Sequence, residues 1–214
     1  MLINGVKKFM TARWRELLKD ILYGAVVPLI VGFIIIAFPL SQPLLRQINP
    51  ALIGILVFGL EEQILIVAVP MLFGLLWNQW AGGASGFLLG SNYALWYAIY
   101  GGRTPGWSSD ISLLGYCVSG MLIGYIAGAL NKHSYTFSRM LFSGIVAGVI
   151  GALFLWVPLQ LSNFQLVTGG FGFFITIVPR ITFGIIIPIF AKIFIWFGIT
   201  PKQTPKHFQE NARI

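Results

Sequence analysis

Residues 139–161 read RMLFSGIVAGVIGALFLWVPLQL, an apolar run in which Arg139, at its beginning, is the single charge. An α-helix rises about 1.5 Å per residue, so about 20 apolar residues cross the ~30 Å hydrocarbon core of a bilayer. The run meets both requirements, length and apolar character. It predicts a transmembrane helix, and similar runs lie on both sides of it.

Composition indicates the same class of protein. Of the 214 residues, 57% are hydrophobic and 9% are charged, whereas an ordinary soluble domain has roughly 25% charged residues. A soluble fold could not bury that much apolar surface. We therefore expect an all-α integral membrane protein with six transmembrane helices, separated by Pro, Gly, Asn and charged residues. The predicted helices are 22–40, 51–77, 82–100, 111–130, 139–161 and 171–198.

The whole chain, residues 1–214, is predicted to be a single membrane domain. Residues 21–198 form the six-helix bundle. Residues 1–20 are predicted to form a short basic amphipathic helix that lies on the cytoplasmic surface of the membrane. Residues 199–214 are predicted to be a cytoplasmic tail.

The distribution of basic residues predicts the orientation of the bundle. Six crossings place both termini on one side, where ten Lys and Arg residues then lie, against two on the other side, Arg46 and Arg103. Because Lys and Arg concentrate in cytoplasmic loops, both termini are predicted to be cytoplasmic, with the protein in the cell membrane. The longer loops, 41–50, 101–110 and 162–170, are then on the outside.

The net charge of +8 does not indicate nucleic acid binding. A DNA-binding surface needs its Lys and Arg on a folded face beside polar groups that read the grooves. Most basic residues here flank apolar runs, which favours an orientation signal or contact with anionic membrane lipid. Cys117 is the only cysteine, and His133 and His207 lie outside the predicted helices. We therefore predict no intrachain disulfide, no metal site and no cofactor.

Small residues recur at every fourth position in three consecutive predicted helices, which places each set on one helix face. Such faces let helix backbones approach closely, and this is how helices associate in a bilayer. Packing within the monomer, in a tight core of the third to fifth helices, is the first interpretation. A docking face for a partner subunit is the second. The sets are Gly82, Gly86 and Gly90; Gly120, Gly124 and Gly128; and Gly144, Gly148 and Ala152.

Three charged residues lie where the predicted helices pass the middle of the bilayer. Glu61 and Glu62 lie ten and eleven residues into the second predicted helix, and Arg180 lies nine residues into the sixth, counted from their outer ends. Each is therefore ~14–17 Å deep. An isolated charge at that depth is costly and must be paired, protonated or in contact with water. The equal depth predicts an ion pair between Arg180 and one glutamate.

Only one of the two glutamates can face Arg180, because adjacent residues on an α-helix differ in direction by about 100°. The other carboxyl is then either protonated or available to a cationic ligand or a proton. The alternative interpretation is that the ion pair only fixes the packing of the helices. Pro179 removes a backbone donor beside Arg180 and is predicted to kink the helix where a cavity would be useful.

A substrate-binding site is predicted around these charges. Polar and aromatic residues accompany them in the outer halves of the third and fourth helices and in the loop between. An aromatic belt at the membrane interface is the alternative explanation for Trp107. An outward-open pocket would combine stacking surface with a few directional polar groups. The predicted substrate-binding residues are Glu61, Glu62, Asn92, Trp96, Arg103, Trp107, Tyr116 and Arg180.

The sequence offers no catalytic constellation. Glu61 and Glu62 resemble the paired glutamates of Glu-Glu-x-x-x-Arg membrane proteases, but Ile66 stands where the arginine is required. Neither a Gly-rich phosphate loop nor a Gly-x-Ser-x-Gly elbow is present. We therefore expect that the protein is not an enzyme and has no catalytic residue.

The segments PMLFGLLW at 70–77 and GGASGFLLG at 82–90 resemble the second-to-third helix region of the substrate-binding S components of energy-coupling factor (ECF) transporters. Those proteins are similar in length and have six helices with both termini inside. The resemblance implies capture of a vitamin or similar micronutrient in an outer pocket capped by residues 41–50. It also implies a transmembrane coupling subunit and cytoplasmic ATPases as partners. Many S components carry an acidic residue near the end of the third helix, where this chain has Asn92.

Three hypotheses for the function follow. The leading one is a membrane-embedded substrate-capture subunit of a micronutrient importer, whose small-molecule substrate is vitamin-like and cationic or aromatic. The second is a non-catalytic transmembrane subunit of a larger membrane complex, in which the glycine faces dock other subunits. The third is a small channel or proton-coupled carrier. Native partners would separate the first two, and ion flux through the chain alone would establish the third.

Overall fold

The computed structural model describes residues 25–37, 60–96, 98, 112–161 and 170–198. Every regular element in these ranges is helical, and none of them contains a β-strand, which confirms the all-α prediction for this part of the chain. The predicted leader, most of the predicted outer loops and the predicted tail lie outside the described residues. We number the helices α1 (Ala25–Ala37), α2 (Gln63–Leu76), α3 (Gln79–Trp96), α4 (Ser112–Asn131), α5 (Phe137–Leu161) and α6 (Gly170–Trp196).

Three of these helices, α4, α5 and α6, are long and apolar enough to cross a membrane. Their outward faces are also apolar: Phe154 in α5 and Phe174 and Phe190 in α6 are each at least half exposed. Large apolar side chains in such positions are suited to hydrocarbon and not to water. Length and surface together indicate a membrane protein. In the described ranges, α1 and α2 are shorter apolar helices.

The structure corrects the predicted connection between the second and third helices. The sequence predicts a connection at 78–81, but only Trp77 and Asn78 separate α2 from α3. The Asn78 side chain accepts a 2.8 Å hydrogen bond from the backbone N–H of Ala81. Asparagine at this position satisfies one of the free N–H groups of a helix start, so α3 begins three residues earlier than predicted.

Glycine contacts hold α3 against α4, which form the most extensive helix pair in the described part of the structure. A Cβ on Gly120 would lie 2.7 Å from the carbonyl oxygen of Gly86, and one on Gly86 would overlap the carbonyl oxygen of Gly120. Gly82 and Gly124 abut in the same way. The glycine sets of the third and fourth helices therefore pack against each other inside the monomer, as the first interpretation predicts.

The glycine set of the fifth helix has a different partner from the one expected. Gly144 abuts the backbone of Gly184, and a Cβ on Gly148 would lie 2.6 Å from the carbonyl oxygen of Arg180. This face of α5 therefore packs against α6, and the predicted core of the third to fifth helices must be extended to include the sixth. The contact between α4 and α5 includes a 2.8 Å hydrogen bond from the Ser119 hydroxyl to the Gly151 carbonyl.

The first part of α2, Gln63–Ala68, is a π-helix, and an α-helix follows over Val69–Leu76. The backbone N–H of Val69 bonds the carbonyl of Ile64, five residues earlier. Pro70 follows directly, and proline has no N–H and crowds the carbonyl four residues before it. This explains why the α-helical pattern does not continue upstream of Pro70. π-Helical turns are rare and frequently lie at functional sites.

Candidate functional site

An ion pair between α6 and the residues that lead into α2 forms the centre of the candidate site. Arg180 Nη2 lies 2.6 Å from Glu62 Oε1. The Arg180 side chain is 2% exposed and that of Glu62 is 14% exposed. The predicted pairing of Arg180 with one of the two glutamates is confirmed, and Glu62 is the partner. The guanidinium is fully enclosed, whereas part of the carboxylate remains accessible.

Hydrogen bonds within α6 hold the Arg180 side chain. Arg180 Nη1 donates a 3.0 Å hydrogen bond to the Thr176 carbonyl, one turn earlier. The Thr176 hydroxyl donates in turn to the Gly172 carbonyl at 2.9 Å. These contacts fix the guanidinium on its own helix, and Gly148 lets α5 press against the backbone of Arg180. In the described structure α6 continues through Pro179 without ending.

Two polar residues flank Glu62 on the same segment. Glu61 is partly buried and makes interactions of its own. Gln63 is buried, and no protein group in the described structure bonds its Oε1 atom. Arg180 Nε is also buried without such a partner. A buried polar atom without a hydrogen bond costs about 1–3 kcal/mol. The site thus retains an acceptor on this segment and a donor on α6, neither with a partner in the described structure.

Three aromatic rings form a cluster between α3 and α4. The rings of Tyr93 and Tyr116 are 5.1 Å apart between centroids, and those of Tyr93 and Trp96 are 6.1 Å apart. Leu65 and Ile66 of α2 belong to the same packed cluster. Ile66 follows Glu62 by four residues, so the short stretch 62–66 joins the ion pair to the aromatic cluster.

The other predicted site residues have different outcomes. Asn92 is half-buried, and its Nδ2 atom is enclosed without a partner in the described structure. Arg103 and Trp107 lie outside the described residues. The predicted set of substrate-binding residues does not include Gln63 or Tyr93. A third consecutive polar residue after Glu61 and Glu62 is a signal that could have added Gln63.

A separate cleft of about 300 Å³ lies between α4 and α5. Its lining is apolar, and it contains none of the predicted substrate-binding residues. Such a cleft could hold an apolar group but has no polar side chain to orient a ligand, whereas the ion pair provides charged groups. The lining residues are Leu114, Gly115, Val118, Leu153, Phe154, Val157 and Pro158.

Comparison with known proteins yields no relative: the chain matches no protein family, curated protein or solved structure. Among the described residues, no group of three His, Cys, Asp or Glu side chains is placed to hold a metal ion. The ion pair, the polar residues beside it and the aromatic cluster are the features of the described structure that bear on function.

Proposed function

We propose that this protein is the substrate-capture subunit of a membrane importer, and that it binds a small cationic or aromatic micronutrient at the Glu62–Arg180 pair. The observation that carries the proposal is the enclosure of this pair among apolar helices, with a π-helical segment on one side and an aromatic cluster nearby. In this role the protein binds and releases its ligand and performs no chemical reaction.

The energetic cost of the pair favours a binding role over a purely structural one. Desolvating two charges is expensive, and apolar residues of similar volume often stabilise a protein as well as a buried ion pair does. Ionisable residues inside a membrane are rare and mark substrate or ion pathways. A helix contact made only for stability would need neither Glu62 nor Arg180.

The geometry of the site suggests the chemistry of the ligand. The accessible part of the Glu62 carboxylate is suited to a cationic group, which would compete with Arg180 for it. The partly exposed ring of Tyr116, at the edge of the packed aromatic cluster, would offer stacking surface to a flat ring, and such faces also attract cations. A small molecule that combines a positive charge with an aromatic ring fits both features.

The proposed arrangement of the protein has six membrane crossings and cytoplasmic termini in the cell membrane. The resemblance of residues 70–77 and 82–90 to ECF S components supports a transmembrane coupling subunit and cytoplasmic ATPases as partners. These partners would supply the energy for release of the ligand, which the chain itself has no motif to provide. We propose that Asn92, Arg103 and Trp107 complete the binding site on the outer side.

The test is ligand binding by the purified full-length chain in detergent, measured as a thermal shift across a panel of water-soluble vitamins. We expect at least one cationic or aromatic member to raise the melting temperature of the wild type. The double variant Glu62→Gln/Arg180→Met, in which no buried charge is left alone, should show no such increase. Glu210→Gln, which removes a carboxylate from outside the described residues, serves as the control and should retain binding. A panel without any shift would overturn the proposal, and so would full binding by the double variant.

A further inference from the structure

The loop between α4 and α5 gathers positive charge at one end of the bundle. Lys132 lies in this loop, Arg139 lies in the first turn of α5, and Lys192 lies near the end of α6. All three are exposed. The only acidic residues in the described ranges, Glu61 and Glu62, belong to the other site. This cluster, which we call the basic end, therefore has no carboxylate counterion among the described residues.

Hydrogen bonds hold two of the three cations, Lys192 and Arg139, against the short loop that carries Lys132. Lys192 Nζ donates to the Tyr135 carbonyl at 2.9 Å, and Arg139 Nε donates to the Leu130 carbonyl at 2.9 Å. Between these two carbonyls the loop closes on itself, because the N–H of Ser134 bonds the Asn131 carbonyl at 2.9 Å. A turn of this kind holds its ends within about 7 Å. Residues from three helices and the loop thus surround a compact surface.

The loop is held rigidly in this conformation. The buried Asn131 side chain donates a 3.1 Å hydrogen bond to the Leu75 carbonyl at the end of α2. Lys132 and His133 both have left-handed backbone angles, with φ of 48° and 56°. Such angles are unfavourable for residues with a Cβ and persist only where the surroundings impose them. The positive charge of Lys132 is therefore presented from a fixed backbone.

The cations of the basic end still have N–H donors that no group in the described structure uses. Lys192 uses one of its three N–H donors on Tyr135, and Arg139 uses one of its five on Leu130. Lys132 makes no side-chain hydrogen bond within the described structure. Arg139 also lies at the start of α5, where the helix dipole already disfavours a cation. An anion at this position would offset the unfavourable interaction between Arg139 and the helix dipole. It would also accept hydrogen bonds from the remaining N–H groups.

We propose that the basic end binds the phosphate group of an anionic phospholipid. Exposed aromatic side chains accompany the cations, as is typical of residues at the membrane interface: Tyr135 and Phe137 are about two-fifths exposed, and Trp196 is 83% exposed. Arg180 lies twelve residues before Lys192, about 18 Å along α6. The lipid site is therefore distinct from the Glu62–Arg180 pair and does not depend on the proposed capture function.

The experiment measures lipid binding by the purified full-length chain in neutral detergent, with phosphatidylglycerol and phosphatidylcholine as probes. We expect phosphatidylglycerol to raise the melting temperature and to remain bound in native mass spectra, and phosphatidylcholine to do neither. Lys132→Gln should weaken phosphatidylglycerol binding about fivefold, the typical contribution of one basic residue at an anionic surface. Adding Lys192→Gln should weaken it about fivefold again.

Control measurements distinguish the effect of charge at the basic end from the effect of net charge. They also distinguish binding of a lipid from binding of free phosphate. Lys132→Gln removes no described side-chain hydrogen bond, so the fold is retained and the charge alone is tested. Lys206→Gln removes the same charge elsewhere and should leave the affinity unchanged. Equal binding of the two lipids, or wild-type affinity in both lysine variants, would overturn the proposal. The assignment to a lipid would also fail if inorganic phosphate stabilised the protein as well as phosphatidylglycerol does.

Discussion

At the scale of single residues, Glu62 and Arg180 depend on each other. Removing one partner of a buried ion pair leaves an uncompensated charge and typically costs about 3–5 kcal/mol. We therefore expect Arg180→Ala and Glu62→Gln each to lower the melting temperature and the folded yield sharply in detergent. The double variant Glu62→Gln/Arg180→Met should lose less than the sum of the two single losses, because no charge is left alone.

The control for this cycle is Glu210→Gln. It removes a carboxylate from the predicted cytoplasmic tail, so it should cost much less stability than removal of Glu62. Equal losses for Glu210→Gln and Glu62→Gln, or strictly additive losses for Glu62 and Arg180, would contradict the assigned pairing.

The existence of the ion pair could be predicted from the sequence, but the identity of the glutamate could not. Equal depth from the helix ends predicts that Arg180 pairs with one of the two carboxylates, and Glu62 is the one observed. The choice between Glu61 and Glu62 depends on the direction of each side chain, and the π-helical turns that begin beside them alter the angle between successive residues. Only the folded backbone specifies that angle.

At the scale of helices, the contact between α3 and α4 depends on the absence of side chains at its glycines. Gly86→Ala would place a Cβ against the Gly120 carbonyl, and forcing such atoms apart typically costs about 1–3 kcal/mol. Gly83→Ala is the matched control on the same helix, because its Cβ would meet Tyr125 Cβ at an ordinary 3.4 Å. The Gly83→Ala variant should be as stable as the wild type or up to about 1 kcal/mol more stable, because alanine has the higher helix propensity.

Thermal unfolding of the two alanine variants in detergent measures the difference. A Gly83→Ala loss as large as that of Gly86→Ala would show that close backbone approach at Gly86 is not what stabilises the pair.

The helices themselves follow from the apolar runs, and the observed ends of α4, α5 and α6 lie within two residues of the predicted ones. The glycine spacing also predicted internal packing. The partner of Gly144 and Gly148 could not be predicted, because a four-residue repeat defines a face and not the helix that covers it. The helix start at Asn78 could not be predicted either, because asparagine is as typical of a loop as of a helix cap.

At the scale of the whole molecule, the proposed orientation would put the basic end in the cytoplasm. Single-cysteine variants in a Cys117→Ala background test this orientation with a membrane-impermeant maleimide. Gly106→Cys, in a predicted outer loop, should be labelled in intact cells. Ser134→Cys, in the loop at the basic end, should be labelled only after permeabilisation. Labelling of Ser134→Cys in intact cells would reverse the orientation, and labelling of both from the same side would contradict the number of crossings.

The packing of the glycine faces bears on the hypothesis that the protein is a subunit of a larger complex. The glycine faces of α3, α4 and α5 are covered by other helices of the same chain, so they are not available for docking another subunit. A partner would have to contact different surfaces, such as the exposed apolar faces of α5 and α6.

The most direct test of the central claim is ligand binding by the charge-swapped variant Glu62→Arg/Arg180→Glu. The swap restores an ion pair between α6 and the start of α2 but inverts the charge that is partly accessible. If the ligand binds at this pair, the swapped protein should fold, be more stable than Arg180→Ala and lose the ligand-dependent thermal shift of the wild type. A swapped variant that keeps the wild-type shift would rule out this binding site, because the ligand would then bind elsewhere and the ion pair would serve packing alone.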